Sequence, residues 1–136
     1  MEKFEELFAQ YNCCQNDEEV KAATAEIIKA HFDENNNVEV WKQCLHQIDL
    51  TTLNGDDTTA MVAGMAQKVN GFGKHFPGIP KVAAMCVYHA LVETAADTLT
   101  EPIGLAAVAA GFPASQTFIE VKVAEAAMAV AAGATE

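Results

Sequence analysis

"HQIDLTTLNGDDT", residues 46–58, is the stretch on which the reading of this chain turns. Ile48, Leu50 and Thr52 alternate with Asp49, Thr51 and Leu53, the period-two pattern of a β-strand. The alternation puts the Asp49 carboxylate and the Thr51 hydroxyl on one strand face. Asn54-Gly55-Asp56-Asp57 follows at once, the composition of a turn and a helix start. An aspartate between apolar strand residues is costly to bury unless it is paired or hydrogen-bonded. Asp49 is therefore either a structural acceptor of backbone N–H groups or a functional group. Thr51 alone is a weaker signal, because threonine is a good strand former.

Working outward, the residues before this strand read as helices. Phe4, Leu7, Phe8 and Tyr11 fall at i, i+3, i+4 and i+7, one apolar stripe. A second helix is expected to start at Asn16 or Asp17, with Glu18 and Glu19 in its first turn and Val20, Ala23, Ile27 and His31 on its inner side. Asn35-Asn36-Asn37 breaks it, and a third helix carries Val38, Trp41 and Leu45. Beyond the strand at 48–53, Met61, Val62, Met65 and Val69 have helical spacing, and "NGFGKHFPGIP" (70–80) reads as a loop. "KVAAMCVY" (81–88) is a continuous apolar run of the kind buried on both faces in parallel sheets. A helix is expected over 90–99 and a third strand over 103–112. Thr117 and Glu120 have capping-box spacing, opening a helix that places Val121, Ala124, Met128 and Ala131 on one face and ends at Gly133. Three strand–helix pairs in succession predict a parallel α/β architecture, either a doubly wound sheet or a (β/α)8 barrel. Both folds gather functional groups at the C-terminal ends of their strands.

Composition bounds the function. The 136 residues are 51% hydrophobic, enough for one domain with a real core. The formal net charge is −11 and the eight basic residues are all lysine, unclustered, which argues against nucleic acid as a partner. No apolar run has the roughly 18 residues of a membrane span, and the acidic, amphipathic "MEKFEELFAQ" is unlike a secretory signal. Cys13, Cys14, Cys44 and Cys86 lack zinc-ligand or disulfide-framework spacing and read as reduced thiols of a cytoplasmic protein. His46, His75 and His89 show no i, i+4 pairing, so no metal site is expected. "GFGK" (71–74) follows a helix rather than a strand and has no Ser/Thr after its lysine, so it is read as loop, not as a phosphate-binding turn. "GFPASQT" (111–117), with Gly and Pro at a strand end before a capped helix, reads either as a compact βα loop serving the functional face or as ordinary turn chemistry.

"IDLTTLN" (48–54), "AAMCVY" (83–88) and "VAAGFPASQTFIEVKVAE" (108–125), in this order and spacing, resemble the deoxyribose-phosphate aldolase family. The resemblance covers about residues 40 to 136 and implies N-terminal helices (1–46) followed by the first three βα units (47–136) of a TIM (β/α)8 barrel. It implies reversible cleavage of a phosphorylated sugar, 2-deoxyribose 5-phosphate, to acetaldehyde and glyceraldehyde 3-phosphate through a lysine Schiff base, without a cofactor. Asp49 and Thr51 would then be catalytic, and Leu53, Cys86 and Phe112 would line the substrate pocket. His89 stands where the family commonly has proline.

A complete barrel of this kind takes about 250 residues, and the family's Schiff-base lysine comes on a later strand. Lys3, Lys21, Lys29 and Lys42 fall in the N-terminal helices, Lys68 and Lys122 in later helices, and Lys74 and Lys81 before the second strand. No lysine is expected at the C-terminal end of a strand, so the chain alone is expected to be inactive. Two readings follow: the N-terminal portion of an aldolase, or a non-catalytic half-barrel that binds or assembles. An open three-stranded sheet has two edges with unpaired backbone groups, which recruit other chains. Self-association or docking of a complementary C-terminal half is therefore expected.

Overall fold

The computed structural model describes residues 2–11 and 16–136. Cys13 and Cys14 lie outside the described residues. Internal packing divides the chain into two compact units, Met1–Val40 and Trp41–Glu136.

The first unit holds α1 (Glu2–Phe8) and α2 (Asp17–Asn35). Asn16 caps α2 with a reciprocal box: its Oδ1 accepts from the backbone N–H of Glu18 and Glu19 at 3.1 and 2.9 Å, and its own N–H donates to Glu19 Oε2. Three carboxylates in the first turn, Asp17, Glu18 and Glu19, add to the fit with the helix dipole. The expected inner side of α2 is not formed, for the helix has no buried residue. Ile27 is 63% exposed, and His31 pairs in solvent with Glu34, one turn along its own helix. Asn37 caps α3 (Val38–His46), its Oδ1 accepting from Glu39 and Val40 N–H at 3.1 Å each.

The second unit alternates β1 (Asp49–Thr51), α4 (Thr59–His75), β2 (Ala84–Tyr88), a 3-10 turn (His89–Leu91), α5 (Val92–Thr98), β3 (Gly104–Val108) and α6 (Ile119–Ala131). The sheet is parallel in the order β1-β2-β3, with Asp49, Ala84 and Gly104 in one row and Thr51, Cys86 and Ala106 in another. Its strands are shorter than the apolar runs suggested, because each run's flanks serve as connections. The parity of the pleat sorts the sheet. Met85, Val87 and Leu105 face α4 and α5 and build the core with Val62, Ala66, Val92 and Ala95. Asp49, Thr51, Cys86 and Ala106 belong to the other face.

Two local expectations are corrected. "GFGK" is not loop: α4 runs to His75 and includes it. The helix survives two glycines because Asn70 is anchored across to the end of α5, donating to Thr98 O and accepting from Thr100 N, both at 2.8 Å. Phe72 and Phe76 stack at 5.0 Å, and Phe76 N–H closes the last turn on Phe72 O. The capping box at Thr117 is also absent. The N-cap of α6 is Phe118, which makes no side-chain cap bond. A box over Thr117–Glu120 needs Thr117 as the cap, and the helix begins one residue too late for that.

After α6, Gly133 (φ +112°) reverses the chain. Ala134 N–H returns to Ala129 O at 3.0 Å, a Schellman closure. The residues that follow pair with the outer edge of β3: Thr135 N–H donates to Leu105 O at 2.8 Å, Ala107 N–H to Glu136 O at 3.0 Å, and Leu105 N–H to Thr135 Oγ1 at 2.9 Å. That edge is not bare; a short parallel pairing runs along it.

The two faces of β2 predict opposite responses to truncation. Met85→Ala, in the core, is expected to cost about 2–5 kcal/mol. Cys86→Ala, one residue on and facing away from it, should cost less than about 1 kcal/mol. Urea unfolding of both variants reads the difference.

Candidate active site

Parallel strands bring their C-terminal ends together, and here that end carries Thr51, Tyr88 and Val108 with the segments that follow them. Thr51 and Cys86 are register neighbours, about 4.8 Å apart along the hydrogen-bonding direction. Asp49 lies two residues earlier on the same face. Leu53 is half-buried just past β1, and Phe112 is exposed in the segment between β3 and α6. The fold thus collects Asp49, Thr51 and Cys86 on one sheet face and places Leu53 and Phe112 beyond strand ends of the same edge.

Asp49 is exposed, and its carboxylate makes no hydrogen bond or ion pair among the described residues. It is not a structural acceptor of backbone N–H groups. The Thr51 hydroxyl donates to its own strand, at Asp49 O, 2.9 Å away. Glu136 brings a second carboxylate to this face: a Cβ built on Gly104 would fall 2.5 Å from its Oε1. Glycine at 104 leaves the space that this carboxylate fills.

The aspartate that the fold does hold is Asp57. Thr52 Oγ1 donates to Asp57 Oδ1 and Oδ2 at 2.9 and 2.8 Å, and Asn54 N–H donates to Oδ2 at 3.0 Å. Asn54 Nδ2 reaches Thr52 Oγ1 at 3.2 Å. Partial burial is the largest single influence on the Asp57 carboxyl and raises its pKa. The Thr52 hydroxyl and the backbone and side-chain amides of Asn54 together outweigh it, and hold the group below its ordinary 3.8. This turn carries the chain from β1 to the Thr58 cap of α4. Its residues read in the sequence only as turn composition; the signal was the spacing, a strand-end hydroxyl followed by Asn two and Asp five residues on.

The segment 109–118 is held in an uncommon conformation. Ala110, Gly111 and Ser115 have φ of +60°, +75° and +56°, and the Phe112–Pro113 peptide is cis. Ser115 N–H donates to Gly111 O at 2.7 Å. A Cβ on Gly111 would meet Thr117 Cγ2 at 3.0 Å, so both φ and space favour glycine there.

An apolar cavity of about 210 Å3 opens on the helix side of the sheet, lined by Leu45, Leu50, Val69, Phe72 and Val82 with Lys68 and Lys81. None of the candidate site residues Asp49, Thr51, Leu53, Cys86 and Phe112 lines it. Lys81 is engaged by Glu101, and Lys68, Lys74 and Lys122 sit on α4 and α6. Among the described residues no group of three His, Cys, Asp or Glu side chains could hold a metal ion, and no helix is long and apolar enough to cross a membrane.

No protein-family model matches the chain. It is 41% identical over 101 residues to the deoxyribose-phosphate aldolase of Homo sapiens, a match covering 65% of this chain and 31% of that protein. The Bos taurus deoxyribose-phosphate aldolase is 40% identical over 101 residues with the same coverage. A putative deoxyribose-phosphate aldolase of Caenorhabditis elegans is 34% identical over 103 residues, 74% of this chain and 34% of the relative. The resemblance carried by the strand motifs is borne out, and the chain spans about a third of the length of the curated relatives it matches.

The Asp57 network gives a pH prediction of definite sign. A carboxyl held low in the folded state stabilises its turn above its unfolded pKa and loses that contribution as pH falls through the folded value. The protection factors of amides 52–57, taken against the intrinsic exchange rate at each pH, should therefore fall below about pH 4 while those of the Met85 and Val87 amides hold. Thr52→Val should bring the same loosening at neutral pH, read by hydrogen exchange.

Proposed function

We infer that this chain, a homologue of the deoxyribose-phosphate aldolases, is the N-terminal portion of an enzyme of that family acting in the cytoplasm on 2-deoxyribose 5-phosphate. Residues 1–46 are its N-terminal helices and 47–136 the first three βα units of its (β/α)8 barrel. The observation that carries the reading is Asp49: an ionisable group on the open face of a parallel sheet, beside Thr51 and Cys86, with no partner among the described residues. A carboxylate left unengaged costs the fold little when exposed, and it is free to accept or return a proton once a substrate and closing strands exclude water. Thr51, after turning from Asp49 O, offers a hydroxyl to position water or the sugar. Leu53, Cys86 and Phe112 supply the walls.

The imine requires a lysine that is desolvated or set beside another cation, so that its amine is nucleophilic at neutral pH. The described lysines of the second unit lie on helices or ahead of β2. On this reading the Schiff-base lysine comes from a strand outside these three βα units. A non-catalytic half-barrel, binding or assembling through its open face, is the second reading, and this placement of the lysines is what favours it. The transcript beyond the codon for Glu136 separates them: an open frame continuing into further βα units with a lysine at a strand end supports the aldolase, and an immediate stop supports the module.

Two outcomes are expected. The isolated chain should neither cleave 2-deoxyribose 5-phosphate nor be trapped on it by borohydride; a substrate-dependent adduct on any of its lysines would overturn this assignment. In a complete enzyme carrying these residues, Asp49→Ala should lower turnover about 10²–10⁴-fold, the range of a lost acid–base group. Its unfolding midpoint should stay close to that of the parent.

A further inference from the structure

The segment carrying Phe112 is gripped by a side chain that plays no part in the chemistry so far. Glu125, on the second turn of α6, reaches back over the strand ends, and its Oε2 accepts the N–H of Gly111 at 2.7 Å. Its other oxygen, Oε1, lies 3.3 Å from Nδ1 of His89, the first residue after β2. Nδ1 is buried and makes no hydrogen bond among the described residues. The carboxylate is itself 16% exposed. Beside the pair runs a groove of about 520 Å3 lined by Ala90, Glu93, Val121, Ala124 and Met128, whose lining contains no lysine.

We propose that Glu125 is a positioning residue for Phe112: one carboxylate ties the turn after β2, through His89, to the turn after β3, through Gly111. The proposal rests on the aldolase reading for what Phe112 does, but not for the tie itself. Three features carry it. Gly111 sits at φ +75° in a segment with two further left-handed residues, a conformation that persists only where its surroundings over-determine it. The bond from Gly111 N–H to a carboxylate is charge-assisted and short, and partial burial strengthens it. Buried Nδ1 of His89 lies 3.3 Å from Oε1 of the same carboxylate, a position from which an N–H at Nδ1 would donate to it and a lone pair would be repelled. Histidine at 89 thereby supplies a donor to the turn after β2, which a proline there could not.

The test uses the intact chain, isotope-labelled, with exchange at the Gly111 amide as the readout and the Met85 and Val87 amides as the internal control. Glu125→Ala should accelerate Gly111 exchange at least tenfold and shift its proton resonance upfield, with the core amides unchanged. Glu125→Gln keeps an acceptor oxygen and should restore most of the protection. Long-range proton–nitrogen correlation should find the His89 proton on Nδ1. Unchanged Gly111 exchange in Glu125→Ala, or a proton on Nε2 alone, would overturn the proposal. If Glu125→Ala does not fold, the Gln variant decides: retained protection supports the tie, and loss equal to that of neighbouring loop amides refutes it. In a complete enzyme, Glu125→Ala should raise KM more than it lowers kcat. If no aldolase activity is found at all, the aldolase reading fails while the exchange result still judges the tie.

Discussion

β2 is the element that the βα unit cannot do without. It is hydrogen-bonded to a strand on either side, it puts Met85 and Val87 into the core, and it turns Cys86 to the opposite face. A central parallel strand has no edge to leave unpaired and no residue whose side is a matter of indifference. Slipping its register by one residue would move the core set to the open face and Cys86 into the helix layer. The placing of Asp49 and Thr51 depends on that register, because neither residue is held by side-chain packing of its own. What aligns them with Cys86 is the ladder between β1 and β2.

How much of this could be read beforehand follows from where the deciding forces lie. The period-two pattern at 48–53 and the apolar run at 81–88 report burial directly, so the strands, their order of appearance and the shared face of Asp49 and Thr51 were legible. The start of α2 at Asn16 or Asp17 was legible because the acidic first turn that follows is local, whereas the reciprocal box between Asn16 and Glu19 emerged only in the structure. The helical course of "GFGK" was not, because its support comes from Asn70 reaching Thr98 and Thr100, residues about thirty positions away. Local propensity, in which glycine breaks helices, loses there to a tertiary anchor. The reverse holds at Thr117, where the local spacing suits a box that the actual start of α6 leaves unused.

The site shows the same division. Its residue types were visible, but which carboxylate is engaged was not. Asp49 stands out in the sequence because an acid among apolar strand residues is unusual, yet it is Asp57, in a stretch of ordinary turn composition, that the structure holds with a hydroxyl and two amide donors. Glu125 was hidden for another reason. On a helix of alanines and valines it reads as a solvated charge, and its reach to Gly111 exists only once β3 and α6 are folded against each other. Engagement of a side chain is a property of three dimensions, whereas its presence is a property of one.

The pairing of Thr135 and Glu136 with the flank of β3 bears on the order in which such a protein comes together. Asp49 meets Ala84, Ala84 meets Gly104, and Leu105 meets Thr135, so each new strand closes on the one made just before it. Every closure spans a loop of similar, modest length, for which the entropy cost grows only as the logarithm of that length. None has to wait for a distant part of the chain. Such a sheet grows by accretion, each finished edge serving as the template for the next strand, and a polypeptide emerging from the ribosome can assemble it in the order of its synthesis.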